Sequence, residues 1–297
     1  MPDIPVWNKC DNKCVMCTNA PAFARQAAPA YGLRAQVGKL ERYLRGLGPV
    51  YLKNADKAGF VSLTGGEPTL HPEFLKLVAY FRRRLPGTPI TLLSNGRRFA
   101  RRAFAEKFSA AARPPFAVAV ALHGPSARVH DRVSGVRGSF AQTVAGLKNL
   151  LSIPGAPGLE IRLVLHRGNI AALPKTLAFL LKTFPDTGAY KVTAIHYEIE
   201  GMSEANHARL SLRLSESAAA LGRCLQLIKK FRYFSLYHFP RCLVRKELRP
   251  LCRVTLPPED RVYPPRACAG CRARRGCLGL MAEYSRFFGD SELKPLK

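Results

Sequence analysis

The chain has 297 residues, with 47 Lys and Arg against 20 Asp and Glu, and a formal charge of +27. Its 47% hydrophobic content is that of a globular protein, which excludes a disordered chain, a collagen and a disulfide miniprotein. Length allows one large domain, or one of about 200 residues with a smaller companion.

The longest wholly apolar runs, such as the seven residues 116–122, fall far short of the roughly 20 needed to span a bilayer. No apolar segment follows Met1 as a signal peptide would require. These features predict a cytoplasmic protein with no membrane partner. Nine cysteines, an odd number bunched at the two ends of the chain, suit metal ligation better than a disulfide framework.

Taken in chain order, short apolar or β-branched runs alternate with longer amphipathic segments. Strands are expected at 4–7, 60–63, 90–93, 116–122, 160–165 and 190–197. Helices are expected at 39–47, 72–85, 98–112, 139–151, 170–184 and 215–230. The segment 72–85 is the clearest: Pro72 suits a first helical position, and Phe74, Leu75, Val78, Phe81 and Leu85 recur at helical spacing. Strand and helix in alternation predict an α/β fold, a parallel sheet covered by helices and curling toward a barrel. After Phe231 the alternation stops and Pro, Arg and Cys dominate. A boundary is therefore placed after residue 222, giving a core of 1–222 and an extension of 223–297.

In such barrels the chemistry gathers beyond the carboxyl ends of the strands. The first predicted strand runs into Cys10, Cys14 and Cys17, and the second into Gly65-Gly66-Glu67-Pro68. The third leads to Ser94-Asn95-Gly96, the fourth to His123-Gly124, the fifth to His166-Arg167-Gly168-Asn169 and the sixth to Glu198 and Glu200. Three thiolates on one short loop hold three irons of a four-iron cluster and leave the fourth open to a ligand. They also describe a zinc knuckle lacking one ligand. Two glycines after a buried strand let backbone approach a ligand closely, and Glu67 offers an acceptor for an ammonium group.

Cys10-x3-Cys14-x2-Cys17 followed by a GGEP segment resembles the radical S-adenosylmethionine (radical SAM) enzymes, over roughly residues 4–201. The resemblance implies a partial (βα)6 TIM-type barrel with a [4Fe-4S] cluster on Cys10, Cys14 and Cys17. S-adenosylmethionine would chelate the open iron, with its amine at Gly65, Gly66 and Glu67. Reductive cleavage would yield a 5'-deoxyadenosyl radical that takes hydrogen from a substrate. Met16 stands where relatives usually have an aromatic residue and is expected against adenine. Ala121 stands where many relatives have Ser, which leaves Ser94, Asn95, Arg162 and Asn169 as candidates for the carboxylate and ribose. Arg162, in an otherwise apolar strand, is expected to be buried and to need an anion. His123 and His166 are candidates for substrate contact, and Glu198 and Glu200 for binding a cation or moving a proton.

Cys268-x2-Cys271-x5-Cys277 with one more distant thiol completes a four-thiolate site for zinc or an iron-sulfur cluster. It resembles the auxiliary-cluster extensions of radical SAM maturases, the twitch and SPASM types. Met281 occupies the place of a further SPASM cysteine, so one auxiliary [4Fe-4S] cluster is expected. Cys242 is preferred as the fourth ligand, with Cys252 the alternative, and Cys224 is assigned to the core.

Residues 223–275 carry 14 basic and 3 acidic side chains, and residues 81–113 carry 9 and 1. Such patches attract anions: an acidic peptide, a nucleic acid, or an acidic flavodoxin or ferredoxin as electron donor. The resemblance implies a maturase acting on a peptide or protein. With nine residues ahead of Cys10, any leader-binding domain is expected to come from a partner. Radical modification of RNA or a small metabolite is the alternative, and a basic zinc-binding nucleic-acid module without catalysis is the alternative of another class.

Overall fold

The computed structural model describes residues 3–47 and 59–297. All six expected strands are present with ends displaced by one or two residues: β1 Asp3–Trp7, β2 Val61–Gly65, β3 Ile90–Ser94, β4 Phe116–Ala121, β5 Gly158–Leu165 and β6 Tyr190–His196. Two more follow, β7 Phe234–Tyr237 and β8 Cys252–Arg253. Among the described residues the sheet therefore has eight strands in the order β1 to β8, and the α/β barrel is partial because that order does not close. β7 lies parallel to β6, and β8 to β7. The alternation thus continues past Phe231, contrary to expectation. A four-residue strand and a two-residue one are too short for a period of two to show in sequence.

The chain forms two compact units. The first comprises Met1–Lys13, Asn19–Leu122 and Val136–Glu160; the second comprises Cys14–Thr18, His123–Gly135 and Ile161–Lys297. In the first, β1 to β4 pair in parallel, and Ile4, Val6, Leu63, Leu92 and Val118 are buried. Helix Phe74–Arg84 lays Phe74, Leu77, Val78 and Phe81 into this core. Phe108 stacks on Phe74 with centroids 5.9 Å apart and meets Phe99 edge-on at 5.0 Å. Burial of each such ring stabilises the unit by roughly 2–3 kcal/mol. This helix starts two residues later than expected, because the Glu73 N–H donates to His71 Nδ1 (2.9 Å) and leaves Pro72 in the preceding turn.

Other helix boundaries differ for local reasons. The segment expected as 39–47 is the second half of Leu33–Leu44. Arg101 is extended (φ −80°, ψ 104°) and divides 98–112 into a 3-10 turn, Arg97–Ala100, and helix Arg102–Ala111. Segment 170–184 likewise opens as a 3-10 turn before Leu173–Thr183. Segment 215–230 is two helices, Leu214–Arg223 and Leu225–Ile228, separated at Cys224, whose N–H is shared between Ala220 O and Leu221 O. Cys224 is buried among the apolar side chains of the second unit, as expected. Helix Ala127–Ser134 was not expected, since eight residues show barely two turns of periodicity.

Candidate functional site

The first part of the cysteine loop is set by contact between the ends of β1 and β2. The Gly66 N–H donates to Trp7 O and the Glu67 N–H to Lys9 O, both at 2.7 Å. Gly65 has φ +135°, and a Cβ there would lie 2.1 Å from Trp7 O; one on Gly66 would lie 2.3 Å from Lys9 O. The two glycines are thus required by the chain that leads to Cys10. Asn19 Nδ2 donates to Gly65 O (2.9 Å), and the Asn12 N–H lies 3.4 Å from Cys10 Sγ.

Glu67 is 1% exposed and follows directly from this turn. Its Oε1 accepts from the Thr69 N–H (3.1 Å), Thr69 Oγ1 (2.6 Å) and Ser94 Oγ (2.8 Å), and Oε2 accepts from the Asn95 N–H (2.7 Å). Burial pushes its carboxyl up, against the opposing pull of these four donors. Its carboxylate therefore binds the end of β3 to the turn after β2, and Pro68 is buried in the 3-10 turn that follows. Ser94 Oγ also accepts from the Gly96 N–H (3.0 Å), while Asn95 donates from Nδ2 to Asp11 Oδ1 (2.7 Å) and accepts at Oδ1 from the Arg97 N–H (2.9 Å). Both side chains expected at a ligand are engaged with protein.

Arg97, which the sequence reading missed, completes the network. Its guanidinium is 3.1 Å from Asp11 Oδ2 and 2.9 Å from Asn12 Oδ1. Arg97→Ala is expected to cost about 1–2 kcal/mol, because it takes the cation from a half-buried Asp11 that keeps the Asn95 amide. It should also speed loss of iron to a chelator about tenfold, with Arg97→Lys intermediate because it keeps charge but not the fork. Iron release followed by absorbance checks both.

In the second unit the rest of the loop is held by backbone. The Val15 N–H donates to Val133 O (2.9 Å), the Ser203 N–H to Cys17 O (3.1 Å), and Asn206 Nδ2 to Val15 O (2.9 Å). Met16 packs against the cluster of Tyr197, Ile199, Leu210 and Leu212. Asn169 braces the turn after β5: Oδ1 accepts from the His166 N–H (3.0 Å), and Nδ2 donates to Val164 O (2.8 Å) and His123 O (3.3 Å). His123 and His166 are buried, and among the described residues His123 Nδ1 and His166 Nε2 have no hydrogen-bond partner. Burial, aided by the field of His130 and His166, lowers His123 well below the usual range. Burial, aided by Arg132, lowers His166 to about 4. His130 accepts the His123 N–H (3.1 Å) from the unexpected helix.

Arg162 is not buried, contrary to expectation. It is half-exposed, and its guanidinium lies over the Tyr237 ring, 5.9 Å from the centroid, because alternate residues of β5 face away from the helices. Glu198 and Glu200 lie beyond the end of β6 and share no strand face. Glu198 Oε1 is 3.4 Å from His238 Nε2, whose Nδ1 is 3.0 Å from His196 O. His238 follows β7 and has φ +68°, a strained conformation for a residue other than glycine. Nothing in the sequence distinguished it.

The carboxyl-terminal thiols feel one another's field. Burial pushes the Cys268 thiol up, and the fields of Cys242, Cys277 and Cys271 add to that. Burial raises Cys242 too, against a backbone hydrogen bond from Lys294 and with Cys277 and Cys271 adding. Backbone N–H groups approach these sulfurs: Arg241 and Gly279 reach Cys277 Sγ at 3.4 and 3.5 Å, and Leu296 reaches Cys271 Sγ at 3.4 Å. Cys252 is different. It sits in β8 with its Sγ 3.9 Å from Leu248 O, and burial pushes it up to about 12, with Cys277 adding and Arg241 opposing.

Among the described residues no three His, Cys, Asp or Glu side chains are gathered around the position of a single metal ion. The fit to a cluster rests on the donors themselves: soft thiols, with N–H groups directed at the sulfurs of Cys10, Cys271 and Cys277 as thiolates require. Residues 4–180 match the family model described as the Radical SAM superfamily. The chain belongs to the radical SAM superfamily. Membership implies a [4Fe-4S] cluster and S-adenosylmethionine. Mycofactocin maturase MftC of Mycobacterium tuberculosis (strain ATCC 25618 / H37Rv) is 34% identical over 114 residues, 38% of this chain and 27% of that protein. The match thus spans little more than a quarter of this relative. The solved structure of anSMEcpe with bound AdoMet superposes over 98% of this chain and 82% of its own with TM-score 0.53 and 14% identity. Streptococcus suis SuiB bound to S-adenosylmethionine does so over 79% and 48%, with TM-score 0.52 and 14% identity. At these identities the radical SAM fold is what is shared.

Proposed function

We propose that this radical SAM protein modifies a peptide or protein substrate. The observation that carries the reading is the loop after β1, whose three thiols continue a backbone pinned to the Gly65-Gly66 turn within a chain that matches the family over residues 4–180. Cys10, Cys14 and Cys17 would hold the four-iron cluster. When bound, cluster and S-adenosylmethionine supply one-electron reductive cleavage and a carbon radical that takes a hydrogen atom from the substrate.

The chain's own residues arrange that chemistry. Glu67, fully engaged, fixes the strand ends, so the acceptors offered to the methionyl amine are backbone carbonyls of the 65–67 turn. Ser94, Asn95 and Asn169 hold those ends in place. Arg162 is the candidate for the carboxylate, and Met16 for the apolar side of adenine. His123 and His166, buried and neutral, line the second unit's strand ends without adding charge. The field shared by Cys242, Cys268, Cys271 and Cys277 supports these four as ligands of an auxiliary cluster in 223–297, with Cys252 outside it. The relatives named maturases support a peptide as substrate. The net charge of +27 supports an acidic flavodoxin or ferredoxin as reductant. An odd number of cysteines, bunched at the two ends of the chain, supports a reducing, cytoplasmic location. Among the described residues no helix is long and apolar enough to cross a membrane.

Anaerobic reconstitution tests the reading. About eight irons per chain and 5'-deoxyadenosine on reduction with S-adenosylmethionine are expected. Cys14→Ala should abolish the nucleoside and retain about four irons; undiminished cleavage in that variant refutes the ligand assignment.

A further inference from the structure

The second unit also contains a basic pocket. It has a volume of about 470 Å³ and opens among Lys191, Lys229, Arg232 and Arg253, with Glu247 its one acidic side chain. Glu247 is already met by Arg245 at 3.3 Å, so the field inside stays positive. Two of the cations are oriented by rings: Arg232 over Tyr233 at 5.5 Å, and Lys191 over Tyr237 at 5.1 Å, with its Nζ 3.0 Å from the Tyr237 hydroxyl. Phe231, Phe234 and Leu251 line the interior, and Tyr233 is 48% exposed at its edge.

We propose that this pocket binds an acidic segment of a peptide. The charges select carboxylates, and the apolar lining suits the stems and neighbours of acidic side chains rather than a run of phosphates. The backbone points to a peptide too. β8 carries Arg253 into the pocket and is the last strand in the order of the sheet, so it offers an edge to an extended chain; exposed Val254 follows it. Lys191 and Phe234 bring the starts of β6 and β7 to the pocket, and Arg253, which ends β8, pairs with Tyr237 at the end of β7.

The proposal deepens the peptide reading and rests on it for the identity of the occupant. Its test does not use radical chemistry, so failure of one leaves the other standing. A fluorescein-labelled hexaglutamate peptide is titrated with the reconstituted protein, and anisotropy is read. Binding is expected, with Lys229→Glu/Arg232→Glu weakening it at least tenfold and Lys229→Gln/Arg232→Gln less. Lys107→Glu/Arg128→Glu, which reverses the same charge on exposed helices elsewhere, should change affinity no more than twofold. Absence of binding overturns the proposal. Equal loss in both reversal pairs also overturns it, since net charge alone would then be responsible. Tighter binding of hexathymidylate, abolished by the pocket pair, would make this a nucleic-acid site and overturn it as well.

Discussion

Gly65→Ala is expected to give a chain that retains neither its amino-terminal cysteine loop nor any formation of 5'-deoxyadenosine. At φ +135° a residue with a side chain is strained wherever it stands. Here the added Cβ would also fall 2.1 Å from Trp7 O, a backbone atom that cannot rotate aside. Relief requires moving β1 away from β2, which breaks the 2.7 Å bond from Gly66 to Trp7 and displaces the segment leading to Cys10. A loss on the order of 3–5 kcal/mol follows. Gly87→Ala separates strain from contact: Gly87 has φ +77° but nothing within 4 Å of its hypothetical Cβ, and about 1 kcal/mol is expected. Urea midpoints and iron content of the two variants decide the matter. A Gly65→Ala protein as stable as Gly87→Ala would remove the argument for close approach.

Acidification is expected to destabilise the second unit steeply, starting just below neutrality. His166 and His196 are lowered to about 4 and about 3, chiefly by burial, with Arg132 and His238 adding respectively. For a base whose folded pKa is depressed, the unfolded chain takes the proton first. Nothing is lost above the ordinary value of 6.5, and stability falls as pH drops from there toward 4 and 3. Each histidine contributes about 1.4 kcal/mol of loss at pH 5.5, so the two give roughly 3 kcal/mol. His123, lowered further, acts in the same direction. Urea unfolding under anaerobic conditions at pH 7.5 and 5.5 measures the slope. His166→Gln should be less stable than the parent at pH 7.5, and that deficit should shrink by about 1.4 kcal/mol at pH 5.5. An unchanged deficit would show that His166 titrates in the folded protein.

The polar clusters after the strands were visible because each interrupts an apolar run, and the glycine pair because a turn there excludes side chains. Their roles were not visible. Glu67 reads as an acceptor for a ligand and also accepts from Thr69, Ser94 and Asn95; Ser94 and Asn95 donate to the carboxylates of Glu67 and Asp11, and Asn169 meets backbone. Which atom a side chain meets depends on strands far apart in sequence, as with Asp11 and Arg97, 86 residues apart. His130 and His238 gave no signal, since one lies on a short helix and the other owes its interest to a backbone angle.

Alternation of apolar and amphipathic segments, together with cysteine spacing, determined the α/β class, six of the eight strands and the two thiol sets. These are local quantities, set by periodicities of two and 3.6 and by covalent distance along the chain. Only the tertiary structure decided that β7 and β8 extend the sheet. It also decided that Arg162 rests on Tyr237 and that Glu198 lies beside His238. Each of those depends on packing between segments tens of residues apart, where burial and neighbouring charge, rather than spacing, select the partner.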